Sequence, residues 1–254
     1  MTFEILELHP NLLVYRGAFP DPMGFIDKVE ALEGWHKWYL FGNKLDLPGA
    51  GWTSPEFPTK EQWDNHIKNT KVLEVTSIVD EVFYAVTSDY ISKTGYSQPN
   101  WHHFPPSMCK YDFDFSVEEE KDLVMHYHTD YQQERADEPG FKFGLTCTMY
   151  LNDDYEGGEI SFKVFEEDGT YSRFDYKPQQ GDVIVFPSGE PYYHGVKTIR
   201  SNHKYFLRTF WWWHFEGTPE WFENQEKYGA EQWAIMEKER WKAGFRAGSY
   251  VRND

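Results

Sequence analysis

Short apolar runs open the chain: Phe3 to Leu8 and Leu12 to Tyr15 have the composition of strands. Asp21-Pro22 then has the form of a helix start, an N-cap side chain followed by proline in the first turn. Phe25, Ile26, Val29 and Leu32 recur on one helical face, and Gly34 supplies a stop. Pro48 to Pro58 is turn-rich, and Thr59-x-x-Gln62 has the pattern of a capping box opening a second helix. Val75, Ile78, Val79, Val82, Val86 and Tyr90 form a helical stripe that runs to about Gly95. Such one-sided helices need a sheet to lie against.

Beyond Phe104 the period changes. Runs rich in β-branched and aromatic residues (Leu145 to Leu151, Ile160 to Phe165, Tyr171 to Tyr176, Val183 to Phe186, Tyr205 to Trp213) alternate with turns such as Gly157-Gly158 and Asp168-Gly169. Many short strands at this spacing predict a sandwich or barrel. Thr218-Pro219-Glu220 caps a final helical tail, interrupted at Gly229. The pattern predicts one domain over 1–254: strands and supporting helices over 1–104, a β core over 105–215, and a helical extension over 216–254. Its class is α+β with a mainly β core.

Composition narrows the function classes. An aromatic fraction of 19% argues for a folded core rather than a disordered chain. A net charge of −17 repels phosphate backbones, so nucleic acid is not the expected partner. No stretch is apolar enough to cross a bilayer, and Met1-Thr2-Phe3-Glu4 lacks the start of a signal peptide. Cys109 and Cys147 are too few for a disulfide framework and are read as buried thiols, so a cytoplasmic, reducing setting is expected.

The chemistry concentrates in the β region. His128-Thr129-Asp130 places two ligand-type side chains at alternate positions, which share a strand face. His194 follows an apolar strand flanked by turns, Gly181-Asp182 to Ser188-Gly189, and is the candidate third ligand. Two imidazoles and one carboxylate on one face suit non-haem Fe(II) chemistry, because other coordination positions stay open. Lys204 stands ten residues beyond His194, and Lys204, Phe206 and Arg208 share a strand face. A buried cation there could pair with a carboxylate of a bound co-substrate.

Residues 108–213 resemble the prolyl hydroxylase branch of the 2-oxoglutarate/Fe(II) dioxygenases. The resemblance rests on the H-x-D triplet, a histidine some sixty residues later, and a basic residue ten beyond it. It extends to Met149-Tyr150-Leu151-Asn152-Asp153-Asp154, Gly157-Gly158 and Cys109-Lys110-Tyr111. It implies a double-stranded β-helix (a jelly roll of cupin type), with Fe(II), 2-oxoglutarate and O2 as cofactor and co-substrates. His128, Asp130 and His194 would bind iron, Lys204 would hold the far carboxylate of 2-oxoglutarate, and Tyr111 and Tyr150 would contact it. Arg208 is the alternative anchor. Hydroxylation of a C–H bond, foremost of a prolyl residue in a peptide, is the implied activity; a small amino-acid-like substrate is the other class. Met125 stands where prolyl hydroxylases often carry tyrosine.

Two rival readings keep a barrel. A cupin-type metal-dependent dioxygenase or isomerase would use His126, His128, Glu134 and His194. A non-catalytic module would bind a ligand or partner through its Trp-rich surface. His102-His103 reads as a packed aromatic loop, and Glu118-Glu119-Glu120 as a solvated turn.

Overall fold

The computed structural model describes residues 3–31, 36–39, 46–52, 70–96, 101–103, 107–111, 123–130, 141–214, 219–233 and 235. Fifteen strands and three helices are assigned among them. The strands are β1 Glu4–His9, β2 Leu12–Arg16, β3 His36–Tyr39, β4 Asp46–Trp52, β5 Trp101–His103, β6 Ser107–Tyr111, β7 Leu123–His128 and β8 Phe141–Tyr150. They continue with β9 Glu156–Gly157, β10 Ile160–Phe165, β11 Tyr171–Tyr176, β12 Val183–Pro187, β13 Tyr192–Lys197, β14 Ile199–Ser201 and β15 Lys204–His214. The helices are α1 Pro22–Glu30, α2 Thr70–Thr94 and α3 Pro219–Tyr228.

A large sheet runs β1-β2-β12-β8-β15-β6-β4-β3, with β5 paired to the far half of β15. A four-stranded sheet, β11-β10-β13-β7, packs across it, and a β14-β9 ribbon sits at one end. This is the double-stranded β-helix expected from the motifs.

Period-2 alternation explains both cores. On β12, Val183 and Val185 face outward while Ile184 and Phe186 face the smaller sheet. β8 divides likewise, with Leu145, Cys147 and Met149 outward and Tyr150 inward, and β2 sends Leu13 and Tyr15 outward and Leu12 and Val14 inward. The outer set is covered by the α2 stripe Val79, Val82, Phe83, Val86 and Tyr90. That stripe differs from the expected one: Phe83 is fully buried, whereas Ile78 lies off the edge, 38% exposed. Both cysteines are buried thiols outside any disulfide, and burial pushes each up to about 12.

Caps behave as the sequence predicts. The Asp21 carboxylate accepts the Gly24 N–H at the start of α1. Gly95, at φ +69°, ends α2 with its N–H on the Ile91 carbonyl. The expected stop at Gly34 and the helix from Thr59 lie outside the described residues. Two readings need correction. The turn-rich stretch from Pro48 begins within β4, because the register shift between Lys37 and Tyr39 on β3 leaves room for a residue that cannot donate. His102-His103 belongs to β5, paired with Trp212 and Trp211, rather than to a loop.

Three tight connections fix the frame around the smaller sheet. Buried Asp182 accepts hydrogen bonds from the Gly17 and Gln179 amides and the Tyr176 hydroxyl, tying the β1-β2 hairpin to the turn before β12. Gly181 has φ +83°, and a Cβ there would meet the Phe19 carbonyl oxygen at 2.7 Å. Asn152 accepts the Tyr205 N–H and donates to the His203 carbonyl, continuing the β8-β15 pairing past the strand end. No described helix is long and apolar enough to cross a membrane.

Candidate active site

His128 ends β7 and pairs directly with His194 on β13. The ladder then slips: Val196 pairs with Met125, so three residues of β7 span two of β13. Gly195 permits this close approach, since a Cβ on it would sit 2.6 Å from the Met125 carbonyl oxygen. The bulge turns both Met125 and His128 inward and leaves His126 exposed. A regular strand would put His126 and His128 on one face, and the bulge breaks that alternation. Asp130 lies two residues past the end of β7, on a bend.

The three side chains converge. Candidate ligand atoms of His128, Asp130 and His194 all lie within 4.8 Å of one another, the only such cluster among the described residues. Nε2 of His128 is 3.8 Å from Asp130 Oδ1, and Nε2 of His194 is 3.4 Å from Oδ2. The His128 Nδ1–H donates to the His126 carbonyl at 2.8 Å, which fixes the tautomer and leaves Nε2 as the lone-pair donor. Burial presses the His194 imidazole down to about 4, so it is neutral at ordinary pH. Burial alone would raise the Asp130 carboxyl, but His194, His128, Arg208 and a bond from Thr146 hold it below its usual range. A buried carboxylate beside two imidazole nitrogens is a donor set that fits a divalent metal with open positions.

From this cluster a cavity, partly open to solvent, runs between the sheets. Its floor is the inward row of β8: Thr146, Thr148 and Tyr150. Its roof is Ile160, His194, Val196 and Met125, and its far wall is Tyr111, Lys204, Phe206 and Arg208. Phe206 stacks on Tyr111 with ring centroids 5.5 Å apart. Burial drives the phenols of Tyr111 and Tyr150 above their ordinary range, so both remain neutral donors.

Lys204 is the unusual member. It is 1% exposed, donates to the Gly158 carbonyl at 2.5 Å, and sits 4.9 Å from the Tyr150 ring centroid. No carboxylate of a described residue pairs with it. Burial, with Lys177 nearby, lowers its ammonium to about 7. Arg208 lines the same cavity nearer the metal cluster, where its charge acts on Asp130 and His194.

All seven residues predicted for the site line this cavity or the cluster at its end. The cupin set is not assembled: His126 is exposed and outside the cluster, and Glu134 lies outside the described residues. Thr146 and Thr148 went unnoticed from sequence, although polar residues at alternate positions of an apolar strand were the available signal. Ser188, buried behind Thr146, carried no such signal.

Comparison with known proteins agrees with the geometry. Residues 118–213 match the family model described as the 2OG-Fe(II) oxygenase superfamily. No curated protein sequence matches the chain. Among solved structures, a prolyl hydroxylase from Trichoplax adhaerens, in complex with a hypoxia inducible factor degradation-domain peptide, is similar with TM-score 0.54 and 11% identity over 84% of this chain and 87% of that one. A Pseudomonas putida prolyl-4-hydroxylase gives TM-score 0.45 and 14% identity over 79% and 91%. The α-ketoglutarate-dependent epimerase SnoN of nogalamycin biosynthesis gives 0.48 and 12% over 80% and 77%. Over residues 118–213, which contain the His-Asp-His cluster, the chain is similar to the 2OG-Fe(II) oxygenase superfamily.

Proposed function

We propose that this enzyme hydroxylates a C–H bond, foremost of a prolyl residue in a peptide or protein, with release of succinate and CO2. The observation that carries the reading is a single cavity with a metal-type cluster at one end and a buried, carboxylate-free lysine at the other. His128, Asp130 and His194 would hold Fe(II), which with 2-oxoglutarate and O2 supplies the oxidising power for C–H cleavage.

The chain's own groups do the positioning. The Nε2 atoms of His128 and His194 and the Asp130 carboxylate converge at one end of the cavity, so a metal held there would face its interior. Lys204, lowered by burial, gains a proton and a partner when a dicarboxylate enters, so charge recognition and desolvation coincide. Tyr111 and Tyr150 offer hydroxyl donors along the way, and Phe206 packs against both rings. Arg208, closer to the cluster, is the weaker candidate for the distal carboxylate.

The prolyl assignment draws on likeness to the Trichoplax adhaerens enzyme, whose peptide complex shares this fold. Met125 receives the Tyr111 hydroxyl at 3.9 Å in a position where that branch often has tyrosine, so a non-prolyl amino-acid side chain is the second substrate class. Candidate peptides and amino acids incubated with Fe(II), 2-oxoglutarate and O2 should include one that gains a single oxygen mass, with matching succinate. Succinate release with no oxygen gain in any prolyl peptide would overturn the prolyl assignment. No metal uptake and no 2-oxoglutarate turnover would favour a non-catalytic binding module.

A further inference from the structure

Asp130 has no ladder to hold it, because β7 ends at His128. Its carboxylate is fixed from the opposite sheet. Thr146 Oγ1 donates to Asp130 Oδ2 at 2.7 Å, and the same Oγ1 lies 2.9 Å from Ser188 Oγ. A threonine hydroxyl has one hydrogen. With that hydrogen on the ionised carboxylate, which can only accept, Ser188 must be the donor to Thr146. The chain of bonds thus has one direction: Ser188 to Thr146 to Asp130.

Both hydroxyls sit on rigid frame. Thr146 is in mid-β8, paired with Phe186 on one side and Phe210 on the other. Ser188 is fully buried, and its backbone N–H is tied to the Gly144 carbonyl at 3.0 Å. Neither residue belongs to the metal cluster, and neither is needed to satisfy a backbone group of the sheet.

We infer that Ser188 and Thr146 are positioning residues for the iron site: a one-way hydroxyl relay that holds Oδ2 of Asp130 and presents Oδ1 on the side of His128. The inference rests on the reading above that His128, Asp130 and His194 hold the metal. Without the relay the carboxylate could rotate about its last bond, and a metal would have to order it on binding.

The test is Co(II) binding to the intact protein without co-substrates, followed by equilibrium dialysis and by the visible spectrum of the bound ion. Thr146→Val, which keeps the shape and removes the donor, should weaken Co(II) binding about 10- to 100-fold, the range for lost outer-shell partners. Thr146→Ser should bind as the parent does. Ser188→Ala should weaken binding by less than Thr146→Val. Because Ser188 acts only through Thr146, the double variant should be no worse than Thr146→Val alone.

Losses that add in the double variant, or a Thr146→Ser as weak as Thr146→Val, would overturn the relay. Should Thr146→Val fail to fold, a Ser188→Ala indistinguishable from the parent in both affinity and spectrum would overturn it as well. The two readings fail separately. If His194→Ala binds Co(II) undiminished, the metal assignment itself is wrong; if His194→Ala loses Co(II) while the hydroxyl variants do not, only the relay is.

Discussion

Lys204→Met separates the cost of the lysine from its use. Burial takes the ammonium from 10.5 to about 7. At roughly 1.4 kcal/mol per pKa unit, keeping it protonated inside the ligand-free fold costs about 5 kcal/mol at pH 6. The folded value lies below the unfolded one, so the unfolded chain binds the extra proton between about pH 7 and 10.5, and stability rises with pH across that window. Methionine fills similar volume without the charge. It gives up the bond to the Gly158 carbonyl, worth about 1–2 kcal/mol. The ligand-free Lys204→Met protein should therefore be more stable than the parent at pH 6 by about 3 kcal/mol, roughly 6 °C or more in Tm for a chain of this length. Its advantage should vanish near pH 10. In the same thermal scans, 2-oxoglutarate with Mn(II) should stabilise the parent through binding to the folded state and leave the variant unmoved. A Lys204→Met protein that is less stable at pH 6, or that still responds fully to 2-oxoglutarate, would show that the lysine is not a costly anchor for the co-substrate.

Other perturbations follow from the same geometry. Arg208→Met should raise the KM for 2-oxoglutarate less than Lys204→Met does; steady-state succinate assays at saturating iron decide this, and the reverse order would make Arg208 the anchor. The Gly195→Ala methyl would meet the Met125 carbonyl at 2.6 Å, so the bulge must shift, costing about 1–3 kcal/mol and weakening metal binding through His128; chemical denaturation and metal dialysis should move together. Asp182→Ala orphans two amides, leaves the Tyr176 hydroxyl proton without its acceptor, and should cost about 3 kcal/mol or more, with metal affinity unchanged in the protein that remains folded.

The strands of the core were legible because each carries its own period-2 code, and β10, β11 and β12 begin and end within a residue of the expected runs. The metal cluster was legible for a reason only half correct. Alternation placed His128 and Asp130 on one strand face, yet Asp130 lies on a bend beyond the strand, and a bulge permitted by Gly195 turns Met125 and His128 inward and His126 out. A bulge depends on the partner strand, and no local pattern on β7 announces it. The same limit hid β4, whose Pro48 is tolerated at a register shift, and Ser188, whose importance comes from a threonine 42 residues away. Lys204 was found by its spacing from His194, but its burial and its lowered pKa exist only once β8, β10 and β15 enclose it.

Three side chains, two of them from neighbouring strands and one from the bend beyond, are proposed to hold the metal. Anaerobic dialysis of Fe(II) against the parent and against His128→Ala, Asp130→Ala, His194→Ala, His126→Ala and Glu134→Ala tests this directly, with circular dichroism confirming that each variant is folded. One tightly held ion per chain is expected in the parent, in His126→Ala and in Glu134→Ala, and none in the other three. Full iron retention by folded Asp130→Ala, with loss in His126→Ala or Glu134→Ala, would contradict that assignment.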